Sequence, residues 1–586
     1  MNSKKRQALK RLGYTDYRPL QEEAIDALSA GQDVVLAAPT GGGKSLIYQS
    51  AGLLRNGVAV IVSPLISLMT QQVDQLNAKG IHAKFLNSTL NPGEQDDLVW
   101  SIRHNRIEFL YLSPEKLIQP SIMGLLQSVD IALFAIDEAH CIAQWGGDFR
   151  PEYSQLGRVK QSFFNVPIIA LTGSADNKTL KGIQSSLGIS KADIFKGRID
   201  RPNIQIQIAQ KKQAKHQILH FLHHEVSGQS GIIYCRSRNK TEELCAWLRH
   251  LGFNSLTYHA AMKDEDKQQS HETFSRDNGA IMVATTAYGM GIDLPQIRFV
   301  IHMDIPNTPE AYYQEIGRAG RDGKAAKALL LYGLQDMLKA QQLVSNSPEQ
   351  ARLELTKLTS LFQILEDRQC RKVSVLAHFD ETTEVCGICD RCTSKQSEHN
   401  ATIACQKLLS LIYYTKGTQA FSTLIQVLLG KRTKTTSSIQ AEKLSLFGKG
   451  KELTEAQWKT VIRHLLAFQY IQIVGNHHFL VQLNEKARQV LKGEIQVILV
   501  NDHYYPRLTE EELMADHVNW HKAKAWLYNQ VDINMTDGQL RKICQHKPTN
   551  AASLSRLSGI SIDEVSRFSD SLLSLLHDQS MNKTLS

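Results

Sequence analysis

The stretch DVVLAAPTGGGKSLIYQSAGLL, residues 33–54, decides how the rest of the chain reads. Its opening run, VVLAA, has the small and apolar composition of a strand buried on both faces. Three glycines and a lysine follow, and the run from Ser45 reads as a helix. A strand entering a helix through a glycine-rich turn starts a parallel sheet, because the next strand is reached only by crossing a sheet face. The alternation recurs at VAVIVSP (58–64), IEFLYLSP (107–114), IALFAIDEAH (131–140) and VPIIALTGSA (166–175). A second series holds GIIYCRS (231–237), NSLTYHA (254–260), AIMVATT (280–286), RFVIHMDIP (298–306) and KALLLYG (327–333). Two α/β units of similar size are expected, with IDRPNIQIQIAQKKQAKHQI (199–218) as the crossing between them.

Beyond about residue 340 helical patterns take over. TEAQWKTVIRHLLAF (454–468) opens with a Thr-x-x-Gln capping box and sets Trp458, Val461, Ile462, Leu465 and Leu466 on one face. YIQIV (470–474) and FLVQL (479–483), joined by GNHH, read as a hairpin, so helices followed by a hairpin predict a winged helix. A chain of 586 residues needs roughly three to five domains. Its net charge is +9, and residues 401–500 hold 13 Lys and Arg against 5 Asp and Glu. Concentration of charge in one window suits contact with a polyanion, and equally a solvated face. No run nears the roughly 18 apolar residues of a membrane helix, and MNSKKRQALKRLGY lacks a signal core, so a cytoplasmic protein away from membranes is expected.

The turn at 38–45 matches G-x-x-x-x-G-K-[ST] with Ala38 in the first glycine position. Such a loop brings backbone N–H groups against phosphates, which side chains at Gly41, Gly42 and Gly43 would obstruct. Thr40 belongs to the loop, Lys44 is suited to the β and γ phosphates of ATP, and Ser45 to Mg²⁺. Asp137 and Glu138 end an apolar strand, followed by His140 in the same motif; one carboxylate can hold Mg²⁺ and the other activate water. Cys370, Cys386, Cys389 and Cys392 offer four thiolates, enough for a closed Zn²⁺ shell; the spacing also admits an iron–sulfur cluster. Lys431, Arg432 and Lys434, with Lys449 and Lys451, are candidate phosphate contacts.

Taken in order, LGYTDYRPLQ (12–21), APTGGGKSLIYQ, VSPLISLMTQQV (62–73), LYLSPEKL (110–117), DEAH, VATTAYGMGIDLP (283–295) and YYQEIGRAGRDG (312–323) resemble the RecQ family of superfamily 2 DNA helicases, bacterial ones in particular. The resemblance spans roughly 10–495. It implies two RecA-like lobes (1–205 and 206–340), a helical zinc-binding module (341–400) and a winged helix (401–495). A small helical tail (515–586) more weakly resembles the helicase-and-RNase-D C-terminal domain. It implies ATP-dependent unwinding of DNA with 3′→5′ movement, ATP bound between the lobes, and zinc rather than iron–sulfur. The DNA would be single strands and duplexes with a 3′ tail or fork, in repair or recombination, with a single-strand-binding protein as a further partner and a nucleoid setting.

By the same resemblance Arg18 and Gln21 contact adenine with Tyr17 stacking nearby, and Arg321 reaches the γ-phosphate supported by Arg318 and Gln314. Arg318 and Arg321, three apart, are expected on one helical face. Trp145 and Phe149 would stack on unpaired bases, Arg150 would join base contact to hydrolysis, and His477 and His478 would form a wedge. Two departures bear on that link: Gly147 stands where the family usually has His, and ThrGlySerAla (172–175) where ThrAlaThrAla is usual. A superfamily 2 RNA helicase or remodeller, and a DNA-binding scaffold with a vestigial nucleotide site, are the rival classes.

Overall fold

The computed structural model describes residues 3–39, 41–64, 66–86, 92–144, 151–173, 176–289, 294–344, 347–394, 397–474, 480–505, 520, 522–524, 526–527, 533, 535 and 536–577. Two compact units emerge, one holding the chain up to Arg201 together with Leu376–Thr383, the other most of the chain from Pro202 onward.

The first unit is built on a seven-stranded parallel sheet: β1 (Val34–Ala37), β2 (Val58–Val62), β3 (Ala83–Leu86), β4 (Phe109–Leu112), β5 (Ile131–Ile136), β6 (Ile168–Thr172) and β7 (Asp193–Lys196), in the order β3-β4-β2-β5-β6-β1-β7. β1, β2, β4 and β6 are buried along their whole length, which is why they read as unbroken apolar runs. Separate cores fill the two faces, one around Val60, Leu110 and Phe134, the other around Leu36, Ile61 and Tyr111. β3 and β7 occupy the edges and carry exposed or half-buried polar residues, so neither showed as an apolar run.

The second unit holds a six-stranded parallel sheet: β8 (Ile204–Gln210), β9 (Gly231–Tyr234), β10 (Ser255–Tyr258), β11 (Ile281–Ala284), β12 (Phe299–His302) and β13 (Ala326–Tyr332), ordered β10-β11-β9-β12-β13-β8. The segment expected only to cross between units contains β8, paired with β13 over seven residues. Its IQIQI run alternates in sequence but is covered on both faces: Ile204, Ile206, Gln207, Ile208 and Ala209 are buried, and the Gln205 amide donates to the Ile388 carbonyl at 2.7 Å. Further along lie β14 (Glu398–Asn400), antiparallel to β17 (Ile498–Val500), and the hairpin of β15 (Ile471–Val474) with β16 (Leu480–Leu483). The tail helices Asp537–His546, Ala551–Ser558, Ile562–Val565 and Ser569–His577 close on their own core around Leu540, Leu554 and Leu572. Among the described residues no helix is long and apolar enough to cross a membrane.

Thr454 and Gln457 make the expected reciprocal cap of helix Glu455–Ala467. That helix differs from expectation on its other side: Thr460, Arg463 and His464 are buried too. The reason is a charge cluster. Arg463 Nε donates to Glu366 at 2.6 Å, Nη1 to Gln210 at 2.7 Å and Nη2 to Asp502 at 2.5 Å, while the guanidinium lies 5.3 Å from the Tyr332 ring centroid. The Tyr332 hydroxyl donates to the same Glu366 at 2.7 Å. The second sheet, the helix Pro348–Glu366 and the winged helix thus share one buried cation. Removing it leaves the buried Glu366 carboxylate without its cation. Arg463→Ala is expected to destabilise the second unit by about 3–5 kcal/mol, seen as an earlier calorimetric transition; an unchanged melting profile would show that the cluster does not hold these elements together.

Candidate nucleotide, metal and DNA sites

In the first unit β1, β5 and β6 deliver their C-terminal ends to one sheet edge, where ligands of such sheets bind. Gly41 and Gly43 take φ of 81° and 73°, the left-handed region open to glycine. A Cβ on Gly43 would stand 2.5 Å from Gln21 Nε2. That contact has a purpose: the Gln21 amide donates to the Gly42 carbonyl at 3.1 Å, and its oxygen accepts from Arg18 N–H at 2.9 Å. Gln21 therefore caps helix Pro19–Ser29 and latches the glycine loop in one stroke. Tyr17 packs against the core with its hydroxyl donating to the Lys5 carbonyl at 3.4 Å. Lys44 leads helix Lys44–Leu54 and donates to the Ala38 carbonyl at 3.1 Å, drawing the loop closed, with half-buried Ser45 beside it. Thr40 lies outside the described residues.

Asp137 follows β5, its N–H bonded to the Val62 carbonyl at 2.9 Å. Burial, then the Glu138 carboxylate, push Asp137 up to about 6, with Lys44 pulling the other way. Glu138 holds a φ of 49°, a strained turn that costs a non-glycine residue about 1 kcal/mol or more. In that turn a Glu138 oxygen stands 3.2 Å from His140 Nδ1, and Thr172 Oγ1 at the end of β6 is 3.2 Å from the same nitrogen. Burial opposes a charge on His140, Cys141 and Glu138 favour it, and the net shift is upward, to about 10. The acidic turn is thereby tied to the ThrGlySerAla motif, of which Thr172 and Gly173 are described.

The second unit contains Gln314, Arg318 and Arg321. The helix Pro309–Ile316 stops before the arginines, which lie in the turn beyond it rather than on a helical face. Gly317 caps the helix, and Gly320 takes a φ of 63° where a Cβ would meet Asn203 Nδ2 at 2.4 Å. Asn203 donates to the carbonyls of Gly320 and Lys324, both at 2.8 Å, so it shapes the turn. Arg318 is buried and hydrogen-bonds Tyr234. His302 Nε2 and Glu315 Oε2, 2.7 Å apart and buried, brace the helix from β12. Sequence reading missed Asn203, Tyr234 and His302, each an ordinary residue until the sheet places it. It missed also Asp304, held down to about 2: burial works against its charge, but Lys211 and Lys240 outweigh it.

The four cysteines come together. Their sulfurs lie within 4.8 Å of one another, with Cys386–Cys392 and Cys370–Cys389 at 3.9 Å and Cys389–Cys392 at 3.5 Å. A tetrahedral Zn²⁺ with bonds of about 2.3 Å requires sulfur separations of about 3.8 Å, so the set fits the ion. Burial opposes ionisation of Cys370, yet amide donors of Cys386 and Val373 bring its thiol down to about 7. Each ligand segment is clamped from outside the shell: Arg371, next to Cys370, grips Asp390, next to Cys389, through contacts of 3.0–3.2 Å in a buried pair.

Of the candidate DNA contacts, Lys431, Arg432 and Lys434 are exposed on the winged helix, where Lys431 pairs with Glu455 at 3.5 Å and Arg432 with Glu442 at 3.0 Å. Trp145, Phe149, Arg150, His477 and His478 lie outside the described residues, as does Gly147.

Two parallel-sheet lobes of RecA type, a four-cysteine centre and a winged helix define the architecture. Family models agree along the chain: DEAD/DEAH box helicase at 18–183, helicase conserved C-terminal domain at 211–323, RecQ zinc-binding at 334–393 and RQC domain at 395–507. The chain is 36% identical over 581 residues to the ATP-dependent DNA helicase RecQ of Pasteurella multocida, covering 96% of this chain and 92% of that one. It is 36% identical to the protein of that name from Haemophilus influenzae (97% and 94% covered) and 31% identical to that of Bacillus subtilis (94% of each). The chain belongs to the RecQ family of ATP-dependent DNA helicases. The cysteine centre is its zinc-binding site. One zinc per chain is expected by elemental analysis, and Cys389→Ser should lower zinc content and the yield of soluble protein together. Full zinc retention in that variant would contradict a four-thiolate centre.

Proposed function

We propose that this helicase hydrolyses Mg-ATP at the phosphate loop and uses the cycle to move 3′→5′ along single-stranded DNA, opening tailed or forked duplexes. Lys44 would neutralise phosphate oxygens, Ser45 and Asp137 would hold Mg²⁺, and Glu138 would orient the attacking water and take its proton. Magnesium, when bound, supplies charge neutralisation. Arg18, Gln21 and Tyr17 would read the base, and Arg321, with Arg318 and Gln314, would offset charge developing on the γ-phosphate. Zinc holds the module's fold and takes no part in the chemistry. The observation that carries the nucleotide reading is the delivery of the latched glycine loop, the Asp137–Glu138 turn and Thr172 to one sheet edge by β1, β5 and β6.

The division into lobes at 1–205 and 206–340, a zinc module at 341–400, a winged helix at 401–495 and a tail at 515–586 is part of this reading, supported by the succession of sheets, cysteine centre and hairpin. So are a cytoplasmic, nucleoid setting, a role in repair or recombination, and a single-strand-binding protein as partner.

The test compares ATP hydrolysis, with and without single-stranded DNA, and unwinding of 3′-tailed DNA and RNA duplexes. Glu138→Gln should lower both activities by roughly 10²–10⁴-fold, and Arg321→Ala should lower kcat by about 10³-fold or more. Hydrolysis indifferent to DNA would point to a scaffold or remodeller, and preference for RNA to an RNA helicase.

A further inference from the structure

Helix Thr402–Tyr414 of the winged helix ends on two tyrosines that the proposed chemistry does not use. Tyr413 and Tyr414 are 70% and 62% exposed, with ring centroids 6.0 Å apart and planes at 72°. Side by side, the two rings form one contiguous open aromatic surface rather than a single scattered residue, and contiguous patches mark interaction sites.

The surroundings of the tyrosines say which kind. Tyr414 lies seven residues beyond Lys407, so the two share a helix face about 10 Å apart. Lys407 donates to the Lys449 carbonyl at 2.6 Å and pairs with Glu452 at 2.6 Å, which pins to that face a turn whose Lys449 and Lys451 are exposed. On the other side Lys416 is exposed, and the next residue joins the hairpin: Val481 N–H donates to the Gly417 carbonyl at 2.9 Å. A Cβ on Gly417 would collide with the Val481 backbone, so the hairpin packs directly on this turn. The tyrosines therefore stand between a basic turn and the root of the hairpin, within the window that carries 13 basic and 5 acidic residues.

We propose that Tyr413 and Tyr414 form a stacking platform for unpaired DNA bases beside the hairpin, with Lys416 and the Lys449–Lys451 turn on the phosphates. Base–aromatic stacking tolerates any sequence, because every base presents a π-face, which suits a helicase that acts on all sequences. The inference rests on the DNA-unwinding reading and adds to it a site on the winged helix.

The experiment uses full-length protein and fluorescence anisotropy on three labelled probes: an oligo-dT strand, a 3′-tailed duplex and a blunt duplex of the same length, over a range of salt. Tyr413→Ala/Tyr414→Ala should bind the tailed duplex and the single strand about tenfold more weakly. Blunt-duplex affinity, the dependence on salt and the melting temperature should stay unchanged. Tyr413→Phe/Tyr414→Phe should bind like wild type, since the ring is kept. Lys416→Ala should show the opposite signature, a shallower salt dependence. Wild-type affinity of the double alanine variant for the tailed probe would overturn the platform and assign the patch to a protein partner. Equal loss in the phenylalanine and alanine variants would overturn it too, since hydroxyl bonding would then be at work. Wild-type protein that binds none of the probes would instead overturn the underlying DNA reading.

Discussion

A parallel sheet imposes one constraint from which the rest of this molecule follows: every strand points the same way, so every strand's exit loop appears at the same edge. In the first unit this puts the glycine loop after β1, the acidic turn after β5 and Thr172 at the end of β6 within reach of each other, although well over a hundred residues separate the first from the last. In the second it gathers Lys211 after β8, Asp304 after β12 and Asp336 beyond β13 into one ion cluster, with the backbone N–H of Arg236 after β9 donating to Asp304. Neither group could be assembled by local structure. Hydrophobic burial on both faces of each sheet stabilises the strands, and the polar edge is left for chemistry.

Beyond the sheets, the second unit is joined by buried charge. Arg463 and Arg371 each satisfy a carboxylate from another element, and each sits where an apolar contact would specify less. A buried guanidinium demands partners in fixed directions, so its elements meet in one register. In the zinc module the Arg371–Asp390 pair joins the same two chain segments whose four thiolates would hold the ion.

Much of this was legible from residues alone. The glycine loop, the DEAH turn, the cysteine spacing and the capping box at Thr454 are short-range patterns whose chemistry depends on spacing, and spacing is visible in a sequence. β3 and β7 are not legible, because edge strands need not be apolar, and the alternation of β8 between the two units reads as linker. The three-residue spacing of the arginine pair suits a helix. Gly317 and Gly320 end the helix instead, and the turn that Asn203 holds carries both side chains.

The sequence by itself determined the two parallel sheets, the four clustered cysteines and the glycine loop, since each depends on periodicity or on spacing within one segment. Only the tertiary structure decided that Gln21 latches the glycine loop, that Arg463 ties three elements together, and that Tyr413 and Tyr414 stand open beside the hairpin. Those outcomes turn on which surfaces meet and which stay in water. That depends on contacts between residues tens to hundreds apart, which no local pattern encodes.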